Sequence, residues 1–179
     1  MKTIVVYYSN TGSNKFLAYK IKESLGAQIE ELKPRIKAQI LLMLGLGFGL
    51  RKTKHKISGF DRVILCGPIW MGKFVYPLKT FVKKYKSEIN ELVFVTCCGS
   101  SYKMKEEKFG HGLVFEEVKN LLNDKCVFCQ AFPISLVLPE NKKEDPDATM
   151  KTRLRDENFK GEIQEHFENF ITKLAETNL

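Results

Sequence analysis

Three short stretches concentrate the side chains that could do chemistry. Ser9-Asn10-Thr11-Gly12-Ser13-Asn14 sets three hydroxyls, two carboxamides and one glycine between an apolar run and an amphipathic one. No acidic residue intrudes, and Lys15 follows. The first backbone N–H groups of a helix lack intrahelical partners and its dipole favours an anion, so this stretch reads as a cradle for phosphate. A helix cap alone needs only one such residue. Gly67-Pro68-Ile69-Trp70-Met71-Gly72-Lys73 carries the single Trp of the chain beside a glycine-bounded turn, where a flat ring system can stack. Thr96-Cys97-Cys98-Gly99-Ser100-Ser101-Tyr102 offers small residues that let the backbone approach a ligand edge, and a second aromatic face at Tyr102.

The second stretch nearly spells the nucleotide-binding pattern G-x-x-x-x-G-K-[ST]. Its last position is Phe74, which has no hydroxyl for magnesium, and bulky Ile-Trp-Met fills the interior where a phosphate nest needs close backbone approach. A nucleoside triphosphate site is therefore rejected.

Each stretch follows an apolar block of the kind a buried strand requires. Residues 4–8 (IVVYY), 63–66 (VILC) and 92–95 (LVFV) are β-branched and aromatic, and residues 28–32 form a weaker second strand. Residues 126–138 make a long fifth strand region broken by Pro133. Between the blocks, apolar residues recur at helical spacing. Phe16, Leu17, Ile21 and Leu25 end at Gly26; Leu78, Phe81, Val82 and Tyr85 form a second set; Val114, Phe115, Val118 and Leu122 a third; and Phe159, Ile163, Phe167, Phe170 and Leu174 close the chain. Strand–helix alternation with near-continuous apolar strands predicts an α/β three-layer sandwich, a parallel sheet with helices on both faces. Ligands of such sheets bind beyond the carboxyl ends of the strands, where the three stretches fall.

The composition is globular: 44% of the 179 residues are hydrophobic and 28% charged. The net charge of +8 is uneven, with 17 basic against 5 acidic side chains in the first 89 residues and 12 against 16 in the rest. A basic front half invites an anionic partner. Five cysteines and a Met1-Lys2-Thr3 start running straight into an apolar block predict a reduced, cytoplasmic protein. The longest apolar run, residues 38–50, falls short of the roughly 20 residues that a membrane-spanning helix needs.

Taken in chain order, residues 4–14 (IVVYYSNTGSN), 63–73 (VILCGPIWMGK) and 96–102 (TCCGSSY), the last running into the helix near 115–122, resemble the flavodoxin family. The resemblance implies a flavodoxin-like domain over 1–179, with a five-stranded parallel sheet of order 2-1-3-4-5 and FMN as cofactor. A segment at about 34–58 and an open, charged loop at 139–157 before the last helix are extra to a minimal member. Ser9, Asn10, Thr11, Gly12, Ser13 and Asn14 would hold the FMN phosphate. Pro68, Ile69, Trp70 and Met71 would line one side of the isoalloxazine, with Trp70 stacking. Cys97, Cys98 and Gly99 would meet the pyrimidine edge through backbone groups, and Tyr102 would cover the other ring face. The peptide near Met71-Gly72 would accept a hydrogen bond from flavin N5 once the ring has taken up one electron. The implied activity is electron transfer through a non-covalently bound flavin, with a redox partner protein or NAD(P)H as the exchange partner. Flavodoxins that carry single electrons are typically strongly acidic, whereas positive charge near the site disfavours the anionic reduced flavin less. An NAD(P)H-dependent FMN oxidoreductase acting on a quinone-like or other small acceptor is the alternative. No catalytic side chain and no metal site are expected.

Other signals are assigned to structure. Cys126-x-x-Cys129 falls in a strand, where residues three apart face opposite sides, and reads as two core cysteines. His55, His111 and His166 lie far apart, the last reading as a surface residue. Gly45-Leu46-Gly47-Phe48-Gly49 lacks the spacing of a dinucleotide fingerprint. Segment 35–56 reads as a helix with a solvated basic flank, or as a contact for an acidic partner or peripheral membrane surface. Its basic run 51–56 has no interleaved aromatics, so nucleic acid is not expected.

Overall fold

The computed structural model describes residues 1–35, 49–99, 101 and 108–177. Five parallel strands make one sheet: β1 (Thr3–Tyr7), β2 (Gln28–Glu31), β3 (Arg62–Cys66), β6 (Glu91–Cys98) and β7 (Cys126–Pro133), in the order β2-β1-β3-β6-β7. This is the predicted 2-1-3-4-5 arrangement. Two further strands, β4 (Ile69–Trp70) and β5 (Lys73–Phe74), pair antiparallel as a small hairpin outside the main sheet.

The apolar strand runs are continuous because both faces are covered. Ile4, Val6, Val63, Leu65, Leu92 and Phe94 pack on one side against α2 (Tyr76–Tyr85) and α3 (Gly112–Leu122), through Leu78, Phe81, Val82, Val114 and Val118. Val5, Tyr7, Ile64, Cys66, Val93 and Val95 pack on the other against α1 (Ser13–Leu25) and α5 (Glu162–Glu176), through Leu17, Ile21, Ile163, Phe167, Phe170 and Leu174. The side-chain period of two sorts each strand between these layers. α1 stops where predicted, at Gly26, which takes the left-handed conformation (φ 58°).

The far end of the sheet is tied by a buried charge. Arg62, 1% exposed, donates to Glu91 Oε2 from Nε (3.0 Å) and Nη2 (2.8 Å), and to the carbonyls of Leu174 (3.0 Å) and Thr177 (3.1 Å). A buried guanidinium is tolerated only when its donors are matched in this way, and the last two bonds satisfy carbonyls that the end of α5 leaves unpaired.

Three expectations need correction. The fifth strand ends at Pro133, and residues 134–137 form a 3-10 turn instead of continuing it. Segment 139–157 is not an open charged loop. It contains α4 (Pro146–Lys151), capped by Asp145, whose carboxylate accepts from the N–H groups of Asp147 (2.9 Å) and Ala148 (3.2 Å). His166 is half-buried, its Nε2 lying 2.9 Å from the Ala131 carbonyl.

Of segment 34–58, residues 36–48 lie outside the described residues. Its two ends meet in an antiparallel bridge, Pro34 with Leu50, flanked by Arg35 N–H to Gly49 O (3.0 Å) and Arg51 N–H to Lys33 O (2.8 Å). The stem lies just past the carboxyl end of β2, and the Tyr76 hydroxyl at the start of α2 accepts from Gly49 N–H (2.8 Å). Among the described residues no helix is long and apolar enough to cross a membrane.

Candidate functional site

The carboxyl ends of β1, β3 and β6 are neighbours, so the segments that follow them share one edge. The backbone sews them together: Tyr8 N–H donates to Cys66 O (3.0 Å) and Gly67 N–H to Val95 O (3.0 Å). Gly67 is required there by space, since a Cβ would lie 2.7 Å from a Leu78 methyl and 3.1 Å from the Tyr8 carbonyl oxygen.

The first segment turns into α1 at Gly12, whose φ of 104° is a conformation that L side chains rarely adopt. Ser9 Oγ accepts from Gly12 N–H (3.2 Å) and closes the turn. No side chain caps α1, and its first turn holds no acidic residue. The N-terminal N–H groups and the positive end of the helix dipole thus face outward between exposed Thr11 and exposed Lys15. An anion of phosphate type is what this arrangement can hold.

The last two residues of the stretch turn inward. Asn14 accepts from Cys97 N–H through Oδ1 (2.8 Å) and donates through Nδ2 to Cys97 O (3.0 Å). Its own carbonyl accepts from the Cys66 thiol (3.4 Å). Asn14 therefore fastens the start of α1 to β6 through its carboxamide and to β3 through its backbone carbonyl. Ser13 Oγ accepts from Leu154 N–H (3.1 Å) and fastens α1 to the segment after α4. Ser13 and Asn14 are both buried, so neither the hydroxyl nor the carboxamide is open to solvent.

The second segment, after Gly67-Pro68, is the β4–β5 hairpin. Its turn residues Met71 (φ 48°) and Gly72 (φ 67°) are both left-handed, as a two-residue hairpin turn of the primed type demands. The turn presents Trp70 and Met71 to solvent, 37% and 53% exposed, beside half-buried Pro68 and Ile69. Gly72 packs against the backbone at 108–109, where a Cβ would overlap the Lys108 carbonyl oxygen and lie 3.2 Å from Phe109 Cα. Gly72→Ala therefore meets both a strained left-handed backbone angle and a backbone clash, at a cost of about 2 kcal/mol. Thermal unfolding should register that loss, and Trp70 fluorescence should shift as the hairpin moves. An unshifted spectrum would show that the hairpin does not depend on this contact.

In the third segment, Cys97 and Cys98 are buried and Gly99 is exposed. Both backbone groups of Cys97 are engaged by Asn14, which leaves Gly99 as the open position of the three. Burial holds the Cys97 thiol well above the ordinary thiol range, against the pull of the Ser13 hydrogen bond and the Arg153 charge, so it remains neutral. Tyr102 lies outside the described residues.

The sequence pointed at these three segments and missed a fourth. α4 and the residues after it fold back over the same edge: Thr149 Cγ2 would lie 3.3 Å from a Cβ on Gly99, and Leu154 is buried in the core beside α1. This brings half-buried Arg153 within electrostatic reach of Cys97. Nothing local in a stretch rich in Lys, Asp and Glu distinguishes this arginine. Among the described residues, no group of His, Cys, Asp and Glu is placed to hold a metal ion.

A family model described as the flavodoxin domain matches residues 48–165, which include the β4–β5 hairpin, the end of β6 and α4. The chain belongs to the flavodoxin domain family. Solved structures agree in fold. A flavoprotein from Lactobacillus acidophilus, crystallised in complex with FMN, superposes with a TM-score of 0.59 at 16% identity, over 73% of this chain and 92% of that one. The apo form of the Lactobacillus acidophilus flavoprotein gives 0.56 at 17% identity, over 73% and 91%. A candidate flavoprotein from Bacteroides eggerthii gives 0.61 at 18% identity, over 83% and 93%. At such identities these are likenesses of architecture. No curated protein matches the chain by sequence. The Ser9–Asn14 stretch lies before the matched residues, so its reading rests on its own geometry.

Proposed function

We propose that this flavodoxin-family chain binds FMN non-covalently and passes electrons through it. The observation that carries this reading is the uncapped, acid-free N-terminus of α1, set one strand away from an exposed indole on a rigid hairpin. A phosphate tail fits the first and a planar ring the second. When bound, FMN supplies the one- and two-electron chemistry. The chain supplies position and charge. The hydroxyls of Ser9 and Thr11, the Asn10 carboxamide and the N–H groups at Ser13 and Asn14 would hold the phosphate, with Gly12 shaping the turn through its bond to Ser9 Oγ. Pro68, Ile69, Trp70, Met71 and Gly72 would line one side of the ring, with Tyr102 over the other, and Cys97, Cys98 and Gly99 would border its polar edge. Arg153 adds positive charge that disfavours the anionic reduced ring less than an acidic surround would.

Exposed Lys33, Arg35, Arg51, Lys52, Lys54 and Lys56 flank the stem of segment 34–58. They suit an acidic redox partner protein or an anionic surface.

One observation favours a second reading, an NAD(P)H-dependent FMN oxidoreductase with a small quinone-like acceptor. The α4 segment packs on Gly99 and on the α1 N-terminus, which narrows the edge as a substrate site would require. Anaerobic mixing of the FMN-loaded protein with NADPH separates the two. Electron carriage predicts that the flavin stays oxidised for minutes until a reductase is added. Rapid bleaching by NADPH alone would establish the oxidoreductase, and failure to retain FMN after reconstitution would reject both.

A further inference from the structure

Cys126 and Cys129 stand 3.8 Å apart, sulfur to sulfur, although residues three apart on a regular strand point to opposite faces. A bulge joins them. Leu92 pairs with Cys126 but Val93 pairs with Phe128, so Val127 is the extra residue. Cys129 then pairs with Phe94, and both cysteines fall on the face of Leu92 and Phe94. β7 is the outer strand of the sheet, and both thiols are half-buried, whereas Cys66, Cys97 and Cys98 are buried. Both cysteines pack against the core as expected, but the expectation that they face opposite sides of the strand is corrected.

We propose that Cys126 and Cys129 form a reversible dithiol–disulfide pair that exchanges with small soluble disulfides of the glutathione type. The Cys126 thiolate attacks one sulfur of the small disulfide, whose S–S bond breaks as one small thiol departs, leaving a mixed disulfide on Cys126. Cys129 then loses its proton and attacks Cys126 Sγ, releasing the second small thiol. Two protein thiols become one disulfide, one small disulfide becomes two thiols, and the two protons end on those thiols.

The surroundings assign the attacking role. The hydrogen bond from Cys129 holds the Cys126 thiol below the ordinary range, and the Lys119 charge on α3 adds to this against the effect of burial. The same bond pushes the Cys129 thiol up, as befits the resolving partner. Glu116, which pairs with Lys119 at 3.1 Å, is the acidic group facing the site from that helix. The pair lies away from the candidate flavin edge. Cys129 sits opposite Phe94, four residues before Cys98, or roughly 13 Å back along the strand. A sulfur at that depth does not touch a ring seated at the edge, so the partner is a diffusible disulfide and the pair operates independently of FMN.

The folded full chain can be equilibrated in glutathione buffers stepped from reduced to oxidised, then alkylated with iodoacetamide and mapped by mass spectrometry. The expected result is an intact mass lower by two hydrogens before labelling. Cys126 and Cys129 should escape alkylation together, and dithiothreitol should restore both. Cys129→Ser should instead trap glutathione on Cys126. Wild-type protein in which both cysteines remain alkylated at every step would overturn the proposal, as would a disulfide mapped to Cys66, Cys97 or Cys98. The wild-type map decides the question even if the variant fails to fold.

Discussion

Thr11→Glu is expected to weaken FMN binding by about a hundredfold, or about 3 kcal/mol. Thr11 is exposed and precedes the left-handed Gly12, so the substitution leaves the turn and the core intact. It adds a carboxylate where α1 offers uncapped N–H groups and no acidic neighbour. A carboxylate about 5 Å from a phosphate dianion, at an effective dielectric constant of about 40, is repelled by about 3 kcal/mol. Titration of the apo protein with FMN, followed by quenching of flavin fluorescence, measures the change. Thr11→Ser keeps the hydroxyl and should bind within about threefold of wild type. Wild-type affinity in Thr11→Glu would remove the phosphate from this end of the sheet. Ser13 is a poorer probe, because its buried hydroxyl accepts from Leu154 N–H and a glutamate there would disrupt the fold.

Asn14→Leu is expected to lower stability by about 3 kcal/mol, which for a domain of this size lowers Tm by about 10 °C. The substitution leaves Cys97 N–H and C=O buried without their partner, and each such orphan costs about 1–3 kcal/mol. The loss also reaches the site, since the carboxamide is what holds the α1 N-terminus against the end of β6. FMN affinity should therefore fall together with stability, although the Asn14 carboxamide itself is taken up by Cys97. A variant that loses stability but binds FMN as wild type does would show that the cradle is held by the turn at Ser9 and Gly12 alone. Calorimetry and the same fluorescence titration separate these outcomes.

The elements and their order were legible in the residues. Near-continuous apolar strands, helical spacing between them and a glycine at the end of α1 are local signals, each set by neighbours within one or two turns. The three loops were legible for the same reason, since Ser, Thr, Asn and Gly gather where a strand hands over to a helix. Other features escaped because their partners are distant in the chain. Asn14 read as a phosphate ligand on composition, yet its carboxamide partner is Cys97, 83 residues away, and the partner of Ser13 is 141 residues away at Leu154. Segment 139–157 read as an open loop because its charge pattern hides the packing of Leu154.

What the sequence determined by itself is a doubly wound parallel sheet with three polar or glycine-bounded loops after strands that end at one edge, because periodicity and turn chemistry are properties of neighbouring residues. The tertiary structure decided which side chains in those loops serve the protein and which face outward. It also decided that α4 covers the edge and brings Arg153 near, and that Cys126 and Cys129 meet. That last contact depends on a single extra residue, Val127, in the pairing of β7 with β6, and a bulge exists only once two strands are in register.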